Sequence, residues 1–137
     1  QRFPARLAKV KLIGSKRQRL SRAYCCLLHG NADHFFVYAL IVGMRLKRLC
    51  SNADRVLLCA GRWWGDRRAR GALLQVYTHV RRVRLVHAPF ATLTSRHDRV
   101  FSKIQALSLR YSQLIFLDLD ILPRSDLSPL FDVKAPA

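Results

Sequence analysis

Asp118 and Asp120 follow the apolar run Leu114-Ile115-Phe116-Leu117 and form a closely spaced acid pair in a very basic chain. If the chain stays extended there, residues two apart face the same side, roughly 7 Å apart at Cα. Two carboxylates so placed converge on one small cation. Their oxygens suit Mg²⁺ or Mn²⁺, ions that also bind substrate phosphates. A lone D-x-D is a weak signal, because paired aspartates also arise by chance and as caps. Its place at the end of an apolar strand strengthens it. Lys103 opens the helical stretch before that strand and reaches the same mouth, where an ammonium contacts phosphate. Taken alone, it reads as a surface lysine.

Other chemistries lack their patterns. The glycines form neither G-x-G-x-x-G nor a P-loop, which argues against a dinucleotide or nucleoside triphosphate site. His29, His34, His79, His87 and His97 have no metal-ligand spacing. Cys25, Cys26, Cys50 and Cys59 contain no C-x-x-C pair, so a zinc site is not indicated. Cys25 and Cys26 should point to opposite faces of a strand, as small buried hydrophobes. Trp63-Trp64 offers rings that stack on a sugar or base, or that simply pack a loop.

The elements that position these residues alternate. Ala23–Leu28 is a continuous apolar run of strand length, followed by the turn His29-Gly30-Asn31-Ala32-Asp33. His34–Leu49 has apolar residues at helical spacing, with basic residues in its last turn as the helix dipole favours. Arg55–Ala60 reads as a second strand. A helix follows from about Asp66, a candidate cap, to Val76. Val80–Val86 reads as a third strand, His87–Asp98 as a loop, Val100–Arg110 as helical and Gln113–Leu117 as a fourth strand. This order predicts an α/β fold with a mainly parallel sheet covered on both faces. Ligands of such sheets bind beyond the carboxyl ends of the strands. Those ends here are Leu27-Leu28-His29-Gly30 and Asp118-Leu119-Asp120.

The chain has 137 residues, with 25 Lys and Arg against 8 Asp, no Glu, and a formal net charge of +17. That charge attracts polyanions. The arginines are scattered rather than striped, so charge alone does not point to nucleic acid. Residues 1–22 carry Arg2, Arg6, Lys9, Lys11, Lys16, Arg17, Arg19 and Arg22 without an acid, and read as a basic arm before a domain over 23–137. An alternative function follows: a non-enzymatic basic module binding RNA or an anionic membrane. No stretch approaches the ~20 apolar residues of a membrane-spanning helix.

The assembled residues resemble family 8 glycosyltransferases, the glycogenin and galactinol-synthase-like group. The likeness runs through Phe101-Ser102-Lys103-Ile104-Gln105-Ala106-Leu107, then Tyr111–Asp120, then Ile121-Leu122-Pro123 and Asp126–Asp132. A second stretch is Ala23–Leu28 with Tyr38-Ala39-Leu40-Ile41-Val42-Gly43. The resemblance implies a GT-A type, Rossmann-like αβα sandwich, and a hexose moved from a UDP-sugar to a carbohydrate, polyol or protein acceptor with retention of configuration. It implies Mn²⁺ (or Mg²⁺) on Asp118 and Asp120, and Leu119 against the ribose through its backbone. Lys103 and Arg99 would contact the donor, and Leu27, His29 and Gly30 would line the uridine site. The family usually has Ala between the aspartates, where this chain has Leu119. Its later metal-binding His and sugar-binding Asp have no counterpart in these 137 residues, so a fragment of a longer enzyme, cytoplasmic or Golgi-associated, is expected.

Overall fold

A run without a charged side chain, Ala23–Leu28, sets the centre of the sheet. The computed structural model describes residues 21–86 and 100–134. Its strands are β1 (Arg22–Leu28), β2 (Asp54–Cys59), β3 (His79–Arg82) and β4 (Gln113–Phe116). They form one sheet in the order β3-β2-β1-β4, with all three pairings parallel. Cys25 lies opposite Val56 on one side and Phe116 on the other. Parallel neighbours need crossovers. Helix α1 (Asp33–Leu49) joins β1 to β2, and α2 (Arg62–Gly65) with α3 (Arg67–Val76) lies between β2 and β3. This is a Rossmann-like α/β architecture, as the order of elements predicts.

The two-residue period of the strands sorts the core into two layers. Tyr24, Cys26, Leu28, Leu57 and Cys59 face α1 and α3, where they meet Ala39, Val42, Leu46, Ala69 and Leu73. Ala23, Cys25, Leu27, Val56 and Leu58 face the other way, against Ala106 and Leu109. Cys25 and Cys26 therefore do part to opposite faces, and all four thiols are free and buried.

Local chemistry places the helices. Asp33 sits in the first turn of α1 and Lys47 and Arg48 in its last, both favourable to the helix dipole. Asp66 caps α3, its side chain accepting from the amides of Arg68 at 2.9 Å and Ala69 at 3.0 Å. Gly43 is a matter of space: a Cβ there would lie 2.7 Å from both the Tyr77 ring and Val76 Cγ2. Its absence lets α1 close on the end of α3. The Tyr77 hydroxyl then donates to the Ala39 carbonyl at 2.7 Å.

Several expectations change. The third strand ends at Arg82 rather than Val86; the Val83 amide still reaches the Cys59 carbonyl at 3.0 Å, and the ladder then stops. Arg22, assigned by charge to the basic arm, opens β1, where its Nε donates to Gln113 Oε1 at 2.7 Å. Strand β4 is half-buried along its length, because it lies at the sheet edge with β1 its single partner among the described residues. The stretch expected as a helix over Val100–Arg110 winds as a 3₁₀ helix over Val100–Ser108. Three residues per turn bring Lys103, Ala106 and Leu109 to one side. The arm residues 1–20 and the expected loop His87–Asp98 lie outside the described residues.

Burial opposes ionisation of the core thiols and raises their pKa: Cys59 is pushed up to about 11, Cys25 up to about 12, and Cys26 further still with added repulsion from Cys25. The unfolded chain ionises its thiols near 8.5, roughly the free cysteine value. These groups therefore favour the fold fully below pH ~8.5 and progressively less as pH rises towards their folded values. Stability should fall by about 1.4 kcal/mol per pH unit for each of these thiols across that window. Urea unfolding at pH 7.5 and at pH 9.5 measures the loss; an unchanged midpoint would contradict it.

Candidate functional site

Strand β1 has β2 on one side and β4 on the other, so the chain changes direction across the sheet between β1 and β4. Crevices at the carboxyl ends of strands form at such a point. Here an open cavity of about 250 Å³ is lined by Leu27, His29, Phe35, Tyr38, Lys103, Asp118, Leu119 and Asp120. Each arrives from a different local cause. Leu27 is the penultimate residue of the buried strand β1, which Leu28 ends, and His29 follows. Phe35 and Tyr38 come from the first turns of α1. Lys103 comes from the 3₁₀ helix, on the side that sinks Ala106 and Leu109 into the core.

Asp118-Leu119-Asp120 departs from the expected extended geometry. The ladder ends at Phe116, with one further bond from the Leu117 amide to the Cys25 carbonyl at 2.9 Å. The chain then turns, and the Ile121 amide reaches the Asp118 carbonyl at 3.2 Å. Strand periodicity therefore does not align the two carboxylates, yet the turn keeps both on the wall of the same cavity.

Lys103 Nζ donates to Asp118 Oδ1 at 2.5 Å and stands 5.6 Å from the centre of the Phe116 ring. Both partners of the ion pair are partly exposed. Pairs of that kind contribute only about 0–1 kcal/mol, so a stronger ligand can separate them. Among the described residues no group of three His, Cys, Asp or Glu side chains converges on a metal position. The donor set is thus two aspartate carboxylates with an ammonium on one of them. Such a set fits a hard divalent ion that takes its remaining ligands from phosphate and water.

The predicted site residues divide as follows. Leu27, His29, Lys103, Asp118, Leu119 and Asp120 share one cavity. Gly30 does not line that cavity; its carbonyl accepts from Trp63 Nε1 at 3.0 Å. Arg99 lies outside the described residues. Sequence reasoning missed Phe35 and Tyr38. The signal was present: aromatic residues three apart at the start of a helix that follows a strand mouth. Trp63 is buried and stacks on Phe36, with centroids 4.9 Å apart, so it packs the core.

No protein-family model matches the chain. Among known proteins it is similar to an uncharacterized protein of Acanthamoeba polyphaga mimivirus, at 31% identity over 121 residues. That alignment takes in 85% of this chain and 42% of the viral protein. The chain thus spans less than half the length of that relative.

Gly30 has φ +91°, and a Cβ on it would press on the Phe35 ring at 3.3 Å. Gly30→Ala combines a left-handed backbone with a tight contact, for a cost of roughly 1–3 kcal/mol. Chemical denaturation should show that loss. A variant as stable as the parent would mean that the turn after β1 relaxes freely.

Proposed function

We propose that the chain is the donor-binding part of a metal-dependent glycosyltransferase of the family 8 type, using a UDP-sugar. The observation that carries this reading is the single cavity between the ends of β1 and β4, which gathers Lys103, both aspartates, His29 and two aromatic rings. On this reading Asp118 and Asp120 hold Mn²⁺ or Mg²⁺. When bound, that ion neutralises charge on the diphosphate of the donor. Lys103 leaves Asp118 and pairs with a phosphate oxygen instead. Leu119 meets the ribose, while Phe35 and Tyr38, beside Leu27 and His29, offer faces to the base. An anion site, a cation site and an aromatic wall within one span suit a nucleotide-sugar.

The viral relative supports no activity by its description, and the sugar and acceptor belong to the proposal. The resemblance to the family rests on Lys103, the D-x-D and the sequences around them. The D-x-D turns instead of staying extended, and what supports the reading is that Asp118 and Asp120 both line the one cavity.

Calorimetry with UDP tests the reading. UDP should bind in the presence of Mn²⁺ and lose binding on chelation. Asp118→Asn/Asp120→Asn should weaken the Mn²⁺-dependent binding by at least roughly tenfold, the loss that even an outer-shell partner typically causes. Lys103→Met separates the two roles of that side chain. Mn²⁺ alone should then bind as well as before or better, since Asp118 is released, while UDP binds the Mn²⁺ form more weakly. UDP binding that ignores both the metal and the aspartates would overturn the assignment.

A further inference from the structure

The two aspartates of the candidate site sit on a short span between buried residues. Leu117 and Pro123 are buried, while within residues 118–122 only Leu119 is partly covered. The near end is fastened where the Leu117 amide donates to the Cys25 carbonyl at 2.9 Å. The far end is fastened by a side chain of α1: Arg45 Nε donates to the Pro123 carbonyl at 2.9 Å, across 78 residues of sequence. Between these fixed points the span carries one backbone bond of its own, from the Ile121 amide to the Asp118 carbonyl at 3.2 Å. Ligands carried on a loop keep their geometry only if contacts behind them hold it.

The two carboxylates do not depend on these anchors equally. Asp118 follows the near anchor directly and is also gripped by Lys103. Asp120 is exposed and lies as far along the chain from one anchor as from the other. Its place on the cavity wall therefore needs the far anchor more than that of Asp118 does. Arg45 lines neither of the cavities that adjoin the turn. Its charge works against a metal ion, since like charges repel, so what it contributes is the N–H. Beyond Pro123 the chain is fastened separately. The Leu127 amide donates to Cys50 Sγ at 3.4 Å, Gln113 Nε2 donates to the Phe131 carbonyl at 2.7 Å, and Phe131 itself is buried. Loss of the Arg45 contact thus loosens the turn without freeing the segment after it.

We propose that Arg45 is the positioning residue of the acid pair: by clipping the Pro123 carbonyl to α1 it holds residues 118–122 in the form that keeps Asp120 on the cavity wall with Asp118. The consequence for metal binding rests on the donor-site reading; the hold on the turn does not.

Two substitutions separate the N–H from the charge. Gln carries its amide nitrogen the same number of bonds from Cα as Arg carries Nε, so Arg45→Gln keeps a donor and loses the charge. Arg45→Met keeps the length and the apolar stem with neither. Hydrogen exchange in the metal-free chain reads the turn. The Ile121 amide should exchange about fivefold faster in Arg45→Met, as loss of one hydrogen bond implies, and at the parent rate in Arg45→Gln. Amides of α1 and β1 should keep the parent rates in both. Titration with Mn²⁺ reads the consequence. Arg45→Met should bind it roughly tenfold or more weakly, and Arg45→Gln as well as the parent or better, its repelling charge gone. Arg45→Gln behaving as Arg45→Met at Ile121, or equal Ile121 exchange in all three proteins, would overturn the proposal. Faster exchange throughout α1 would make Arg45 a general brace and overturn it likewise. So would Mn²⁺ binding that the parent shows and both variants retain or strengthen alike. A parent that binds no Mn²⁺, with exchange in the expected order, would sink the donor-site reading and leave the clip in place.

Discussion

Everything in this fold hangs on β1. Its residues from Ala23 to Leu28 are buried on both faces of the sheet, and its backbone serves β2 and β4 at once. A strand in that position must be apolar on alternate and intervening residues alike. Because both neighbours run parallel to it, each is reached by chain that crosses the sheet, and the carboxyl ends of β1 and β4 finish side by side. The candidate site is a consequence of that geometry. Leu27 and His29 stand at the end of one strand and Asp118 just past the end of the other, far apart along the chain but not in space.

The parts legible in the sequence are those where local chemistry and the final environment agree. The run Ala23–Leu28, the helical spacing of α1 and the Asp66 cap all keep their expected roles. What was not legible depends on partners far along the chain. An apolar run reads the same at the centre of a sheet or at its edge, so the half-buried state of β4 follows from topology alone. The short helix Arg62–Gly65 lacks the length for a period. It is held by the Trp63 indole on the Gly30 carbonyl and by the Trp63–Phe36 stack. The alternation through Val83 and Leu85 promised more strand than the ladder supports. Val83 packs against the second core layer without continuing it.

The site shows the same division. The identity of the acid pair and of Lys103 was visible as residue type and order. Their conformations were not. Spacing of two implies aligned carboxylates only in extended chain, and the structure turns there. The 3₁₀ winding before β4 is equally silent in the apolar pattern, and its three-residue period stacks Lys103 directly in line with the buried Ala106. Phe35 and Tyr38 were visible as helix residues and hidden as site residues, because their relevance comes from where α1 begins relative to the end of β1.

The charge of the chain gives this mouth its particular character. A net charge of +17 makes most of the surface attractive to anions. An anion meeting such a surface gains little discrimination from scattered arginines, each of which is hydrated and screened. At the Asp118–Asp120 turn the sign is locally reversed, and the nearest ammonium is already committed to one of the carboxylates. A free anion is not favoured there, and neither is a free monovalent cation. On the proposed reading, a divalent ion carrying a diphosphate would satisfy both halves, the ion on the carboxylates and the released Lys103 on phosphate. The weakness of the exposed Lys103–Asp118 pair, about 0–1 kcal/mol, is what makes that exchange cheap. On the proposed reading, specificity for a metal-bound diphosphate over either component alone arises from a salt bridge that is easily broken.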